Sequence, residues 1–204
     1  MRVAIVGGPG IGKSTLVRQL GDLYRNSAYG EGEKGVWVPR VLDDIANGVN
    51  PVGVTEYFAR LYDANYRDGA AQDGSGRVIF FEGARITLEA HMAEYPPECQ
   101  DALRQVLAIG DHWRFDRVIV LTSSTATVEK HILLRNRPHE LAENMVRRFR
   151  LIDDAFRRLA EHEPNAIVID RDGMEFHERS GLDAIVKAAV LPPYPEIPYR
   201  QIPG

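Results

Sequence analysis

The stretch Val3-Ala4-Ile5-Val6-Gly7-Gly8-Pro9-Gly10-Ile11-Gly12-Lys13-Ser14-Thr15 runs from small and β-branched apolar residues into a glycine-rich turn ending in Lys-Ser-Thr. An apolar run of this kind predicts a strand buried on both faces. The next residues, Ser14–Tyr24, have helical apolar spacing, so the turn joins a strand to a helix. From Gly7 to Ser14 the spacing fits G-x-x-x-x-G-K-[ST] in the context that motif requires. In such a loop the backbone N–H groups of Gly8, Gly10, Ile11 and Gly12 turn inward around a polyphosphate, backed by the positive end of the helix. Lys13 then reaches the β- and γ-phosphate oxygens, Ser14 gives a hydroxyl to Mg²⁺, and Thr15 completes the cradle. The competing reading is a glycine-rich turn with an incidental lysine.

Working outward, apolar runs alternate with helical patterns, which predicts a parallel sheet covered by helices on both faces. Strands are expected at Arg2–Val6, Gly35–Val41, Arg77–Phe81, Arg117–Leu121 and Ala166–Ile169. Helices are expected near Ser14–Tyr24, Val54–Tyr66, Thr87–Tyr95, Glu98–Ile109, Thr125–Leu134, Glu140–Ala160 and Leu182–Val190. In the long one, Leu141, Met145, Phe149, Ile152, Phe156 and Leu159 form an apolar stripe, with Arg148 at its edge. The loops fall at 26–34, 68–76 and 135–139. The fold class is therefore α/β, one domain over about residues 1–190 followed by a proline-rich end, 191–204. That end either lies on the body, is disordered, or serves as a partner or dimer arm.

Composition narrows the function. The 204 residues are 44% hydrophobic and 26% charged, ordinary for a globular chain, with a formal net charge of −4. This disfavours nucleic-acid binding through overall charge. The one cysteine, Cys99, allows no intramolecular disulfide and points to a reducing cytoplasm. No run approaches the ~20 apolar residues of a membrane span. The six histidines lack metal-ligand spacing.

No Asn-Lys-x-Asp for guanine recognition and no Leu-Ser-Gly-Gly-Gln signature accompanies the loop, which favours small-molecule kinases over GTPases and transport ATPases. In Val78-Ile79-Phe80-Phe81-Glu82-Gly83-Ala84-Arg85 an apolar strand ends in an acid at the carboxyl edge, where ligands of open α/β sheets gather. Glu82 is a candidate to hold Mg²⁺ through water, and Arg85 to reach a substrate or phosphate; the alternative is an exposed strand end. The basic turn Leu134-Arg135-Asn136-Arg137-Pro138-His139 reads as a lid, at about 134–140. Its Arg135 and Arg137 suit the charge that builds on a moving phosphoryl group, unless they are only a solvated helix end.

In their order, the Gly-x-Gly-Lys-Ser-Thr loop, Glu82 with Arg85, Leu-Arg-Asn-Arg-Pro and Ile167-Val168-Ile169-Asp170 resemble the deoxynucleoside kinase and thymidylate kinase group. The resemblance implies a five-stranded parallel sheet, ATP with Mg²⁺, and transfer of the γ-phosphate to a nucleoside or nucleoside monophosphate. It also implies phosphate, metal, substrate and lid positions for Lys13, Ser14, Glu82, Arg85, Arg135 and Arg137. One departure matters. Deoxynucleoside kinases usually end their second strand in Glu-Pro, whose carboxylate is the general base, and Val36-Trp37-Val38-Pro39-Arg40-Val41-Leu42-Asp43-Asp44 contains none.

That absence leans the reading towards a monophosphate acceptor, held by Arg40, with Asp43 or Asp44 as the alternative base. Phe58 and Tyr62, on one face of the 54–66 helix with Leu61 and Asn65, are either base-stacking residues or core. The leading expectation is an ATP- and Mg²⁺-dependent kinase with a small-molecule acceptor and no membrane association. A kinase of bases or ends in DNA and a nucleotide-binding regulatory protein are the alternatives, and a homodimer is left open.

Overall fold

Within β1 (Arg2–Gly7), Val3 and Ile5 face one side and Ala4 and Val6 the other, and all four are fully buried. A strand apolar on both faces must lie inside a sheet with cover above and below. The computed structural model describes residues 1–31, 39–72, 76–135 and 145–194. Among them β1, β2 (Ala28–Tyr29), β3 (Ile79–Glu82), β4 (Arg117–Thr122) and β5 (Ala166–Asp170) form one parallel sheet in the order β2-β3-β1-β4-β5. With β1 central, Ile5 lies opposite Glu82 on one side and Ile119 on the other. The crevice beyond the carboxyl end of β1 is where the strand order reverses, the usual ligand position of open α/β sheets.

The helices are α1 (Lys13–Tyr24), α2 (Pro39–Asn47), α3 (Pro51–Ala70), α4 (Arg85–His91), α5 (Gln100–Leu107), α6 (Thr125–Arg135), α7 (Met145–Ala160) and α8 (Arg179–Ala188). Leu16 and Leu20 of α1 and Leu182 and Ile185 of α8 cover Val3, Ile5, Phe80 and Ile119. On the opposite face Ile86 of α4 and Ile152 and Phe156 of α7 cover Ala4, Val6, Val118 and Val120. The apolar stripe expected in the long helix is thus core at Phe149, Ile152 and Phe156. Helix α3 starts where Asn50, in the left-handed region, accepts a hydrogen bond from Gly53 N at 3.3 Å, with Pro51 in the first turn. Among the described residues no helix is long and apolar enough to cross a membrane.

The described part of the strand expected at 35–41 is helical. Residues 32–38 lie outside the described residues, and Pro39, Arg40 and Val41 open α2. Proline suits a first helical position because its missing N–H would have no intrahelical partner there. Strand β2 lies instead within the predicted loop, where Ala28 and Tyr29 pair with Phe80 and Phe81. At the other end, Leu191 joins the core and the Tyr24 hydroxyl donates to Pro192 O at 2.6 Å, so the first residues of the proline-rich segment pack on the body. Residues 195–204, and 136–144 with most of the expected lid, lie outside the described residues.

Helix α3 approaches the sheet closely at Gly69, where an added Cβ would come within 2.3 Å of the Phe81 ring. Alanine there gains roughly 1 kcal/mol of helix propensity but overpacks this contact. Gly69→Ala is expected to lower stability by about 1–2 kcal/mol net in urea denaturation.

Candidate active site

The loop after β1 is anchored by Ile11, which is fully buried in the core between sheet, α1 and α8. Gly12 caps α1 with φ at 97°, in the left-handed region that a side chain disfavours, and its carbonyl accepts from Leu16 N at 3.0 Å. Gly8 lies under the Phe149 ring, and Gly10 under Ile132 and Val128 of α6. Lys13 Nζ donates to Gly8 O at 3.1 Å across the loop, with no carboxylate engaged among the described residues. In front of it opens a cleft of about 330 Å³ with Lys13, Ser14 and Thr15 on one wall and His131, Arg171 and Phe176 on another.

Glu82 ends β3 beside this cleft, and it is 2% exposed. The Ser14 hydroxyl donates to its Oε1 at 2.8 Å, and Glu31 N donates to its Oε2 at 3.1 Å. Burial and the neighbouring Glu31 carboxylate push the Glu82 carboxyl up to about 7, against the pull of Lys13 and the Ser14 and Glu31 hydrogen bonds. The Tyr62 hydroxyl donates to Glu31 Oε1 at 2.5 Å, and the Tyr62 ring packs against Gly83. Burial and the two carboxylates hold the Tyr62 phenol well above its ordinary value, so it remains a donor. A chain of polar contacts therefore runs from the loop through Ser14, Glu82 and Glu31 to Tyr62. The Ser14 hydroxyl and Glu82 carboxylate are a hard-oxygen pair suited to Mg²⁺, which takes few protein ligands and keeps waters and substrate phosphates for the rest. Among the described residues no group of three or more His, Cys, Asp or Glu forms a metal cage.

Other residues singled out from sequence fall elsewhere. Arg85 is bound by Glu89 at 2.7 Å and by Asp111, on the exposed side of α4. Arg40 and Asp43 are exposed on α2, and Asp44 accepts from Asn50 Nδ2 at 2.9 Å. Phe58 is half-buried and edge-on to Tyr57, whereas Tyr62 is core with only its hydroxyl engaged at the site. Arg148 is ion-paired to Glu94 and donates to Ile45 O at 3.3 Å. Arg135 closes α6, and Arg137 and Trp37 lie outside the described residues.

Two groups at the site were not anticipated. Glu31 follows a strand too short to show a period. Arg171 stands between two acids, Asp170 and Asp172, and reads as a solvated charge. Asp172 itself accepts from Ser123 Oγ at 2.5 Å and Ser124 N at 3.1 Å, bonds that pull its carboxyl down to about 2 and tie the start of α6 to the end of β5.

No family model matches the chain, and no curated protein sequence matches it. Solved structures do. Deoxyadenosine kinase from M. mycoides with dCMP and a flexible dCDP bound superposes with a TM-score of 0.72 at 16% identity, covering 92% of this chain and 97% of that one. Thymidylate kinase from Candida albicans superposes with a TM-score of 0.66 at 11% identity, covering 91% and 90%. The same deoxyadenosine kinase with dATP bound gives a TM-score of 0.69 over 92% of this chain and 98% of that one, again at 16% identity. The chain shares the fold of these kinases. The five-stranded parallel sheet with helices on both faces, expected from sequence, is thus observed and matched.

The raised Glu82 carboxyl has a stability consequence with a definite sign. Folding favours the protonated form, so stability is highest below the ordinary carboxylate value and declines as pH rises to about 7. Above that the cost levels off at roughly 3 kcal/mol. Glu82→Gln is expected to unfold at higher urea than wild type at pH 8, with the difference vanishing towards pH 4.5.

Proposed function

We propose that this chain is an ATP- and Mg²⁺-dependent kinase that transfers the γ-phosphate to a hydroxyl of a nucleoside. The observation that carries this reading is the Glu31–Glu82 pair, joined to the phosphate loop through Ser14 and to α3 through Tyr62. A hydroxyl acceptor needs a group to take its proton, and a carboxylate beside the phosphate loop serves that need. A monophosphate acceptor needs cations. Two carboxylates disfavour it, and Arg40 and Arg85 stand exposed on α2 and α4. The lean to a monophosphate followed from the absence of Glu-Pro in 36–44 and from Arg40; the strand paired beside β3 is Ala28–Tyr29, and Glu31 follows it.

In the reaction an acceptor oxygen attacks the γ-phosphorus in line, the bond to the β–γ bridging oxygen breaks, and the hydroxyl proton passes to Glu31. Tyr62 orients that carboxylate by its hydrogen bond. Lys13 and the loop N–H groups hold the β- and γ-phosphates, and Arg135 and Arg137 from the lid meet the charge of the transferring group. Ser14 and, through water, Glu82 would hold Mg²⁺, which would supply positive charge to offset that of the phosphates.

The test is ADP formation from ATP and Mg²⁺ with a panel of nucleosides and nucleoside monophosphates. Turnover is expected with at least one nucleoside and not with monophosphates. Absence of ADP with every acceptor would overturn the assignment. Glu31→Gln should lower kcat by about 10²- to 10⁴-fold with ATP binding retained, and Lys13→Ala should lose most turnover while staying folded.

A further inference from the structure

Arg171 is 5% exposed and lies on the donor side of the cleft, opposite Glu82. It is the first residue after β5, fixed there by its N–H donating to Thr122 O at 2.9 Å. Its Nη1 donates to Ile11 O in the phosphate loop at 3.2 Å and lies 3.2 Å from His131 Nδ1. Its Nη2 donates to Met174 O at 2.6 Å, and the guanidinium sits 4.7 Å from the centroid of the Phe176 ring. A Cβ added to Gly12 would come within 3.3 Å of Nη1, so the charge lies against the turn that leads into Lys13.

These partners are neutral. They are two main-chain carbonyls, an imidazole and a ring, while Nε is buried without a partner among the described residues. Burial and the Arg171 charge hold the His131 imidazole below its ordinary value, and its Nδ1 also lies 3.3 Å from Gly10 O. Glu175 and Asp172 are near enough to favour the guanidinium charge but do not contact it among the bonds described above. A guanidinium buried this far without an ion pair is costly, and a buried charge is normally matched by an opposite one. Glu175 lines the same cleft without an ion pair to Arg171 among the described residues, and a polyanion in the phosphate loop would bring further opposite charge to this wall.

We infer that Arg171 is a donor-positioning residue whose counter-charge is the bound polyphosphate. It fixes the Ile11–Gly12 turn from behind and adds a preset positive charge to the loop. Through His131 it also joins that loop to α6, the helix leading to the lid positions. The inference rests on the donor half of the proposed function and is independent of the acceptor.

Calorimetric titration of inorganic tripolyphosphate, ATP and adenosine, each with Mg²⁺, into wild type, Arg171→Gln and Arg171→Lys tests it. Glutamine keeps a hydrogen-bond donor without charge; lysine keeps the charge without the planar fork. Arg171→Gln should weaken tripolyphosphate and ATP alike, by roughly 10- to 50-fold, with adenosine unchanged and Arg171→Lys restoring most of the loss. In turnover the donor KM should rise and the acceptor KM should not. Equal losses in the two variants would mean that Arg171 acts only as a structural donor and would overturn the inference. A loss for ATP without one for tripolyphosphate would do so too, by assigning Arg171 to the base. If Arg171→Gln does not fold, Arg171→Met, which keeps the stem over Phe176, makes the same comparison. Tripolyphosphate binding needs no acceptor, so a wild type without turnover would count against the kinase assignment and leave this measurement intact.

Discussion

The site beside the phosphate loop depends on keeping one carboxylate, Glu82, out of water. Burying an acid is unfavourable unless its oxygens are hydrogen-bonded, and here Ser14 supplies one bond and Glu31 N the other. Those donors come from the start of α1 and from the chain just after β2. The carboxylate therefore ties the ends of β1, β2 and β3 to one point. Tyr62 completes the arrangement, because its ring fills the space beside Gly83 while its hydroxyl reaches Glu31. A shift of α3 would move this hydroxyl, so the packing of an ordinary core helix sets the geometry of a charged pair.

A second constraint acts on the donor side. Val128 and Ile132 of α6 and Phe149 of α7 form their own apolar cluster, and it rests on the phosphate loop at Gly10 and Gly8. Both helices that flank the lid positions thus contact the loop where it lacks side chains. A loop filled by polyphosphate and one without it would differ in the surface they offer to this cluster. Packed cores shift between discrete arrangements more readily than they deform, and this cluster joins the loop to the two helices on either side of residues 136–144.

What could be read from sequence follows from how much apolar signal each element carries. Strands β1, β3 and β4 are continuous apolar runs, and Glu82 stood out because it ends one of them. Strand β2 has only two residues, both half-buried, so Val36-Trp37-Val38 carried the stronger strand pattern and drew attention away from Glu31. Periodicity placed Phe58 and Tyr62 on one face of α3 but could not separate a half-buried ring from a core ring with an active hydroxyl. Arg85 was credited with a site role from its distance to Glu82 along the chain. The turn after β3 sends it instead to Glu89 and Asp111. Arg171 was invisible for a different reason: acidic neighbours in sequence do not reveal that a guanidinium is turned inward.

Glu82 and Arg171 together describe the ligand by its charges. One is a buried acid whose carboxyl is raised to about 7, the other a buried guanidinium, and neither is held by an opposite charge at hydrogen-bond distance among the described residues. Each alone makes the folded chain less stable than a neutral residue would. They stand on opposite sides of the phosphate loop, so they cannot neutralise each other. A divalent cation alone would satisfy Glu82 and worsen the position of Arg171; a polyphosphate alone would do the reverse. A metal–polyphosphate complex satisfies both in one binding event. On the proposed reading, the charge arrangement would favour the complex over either component.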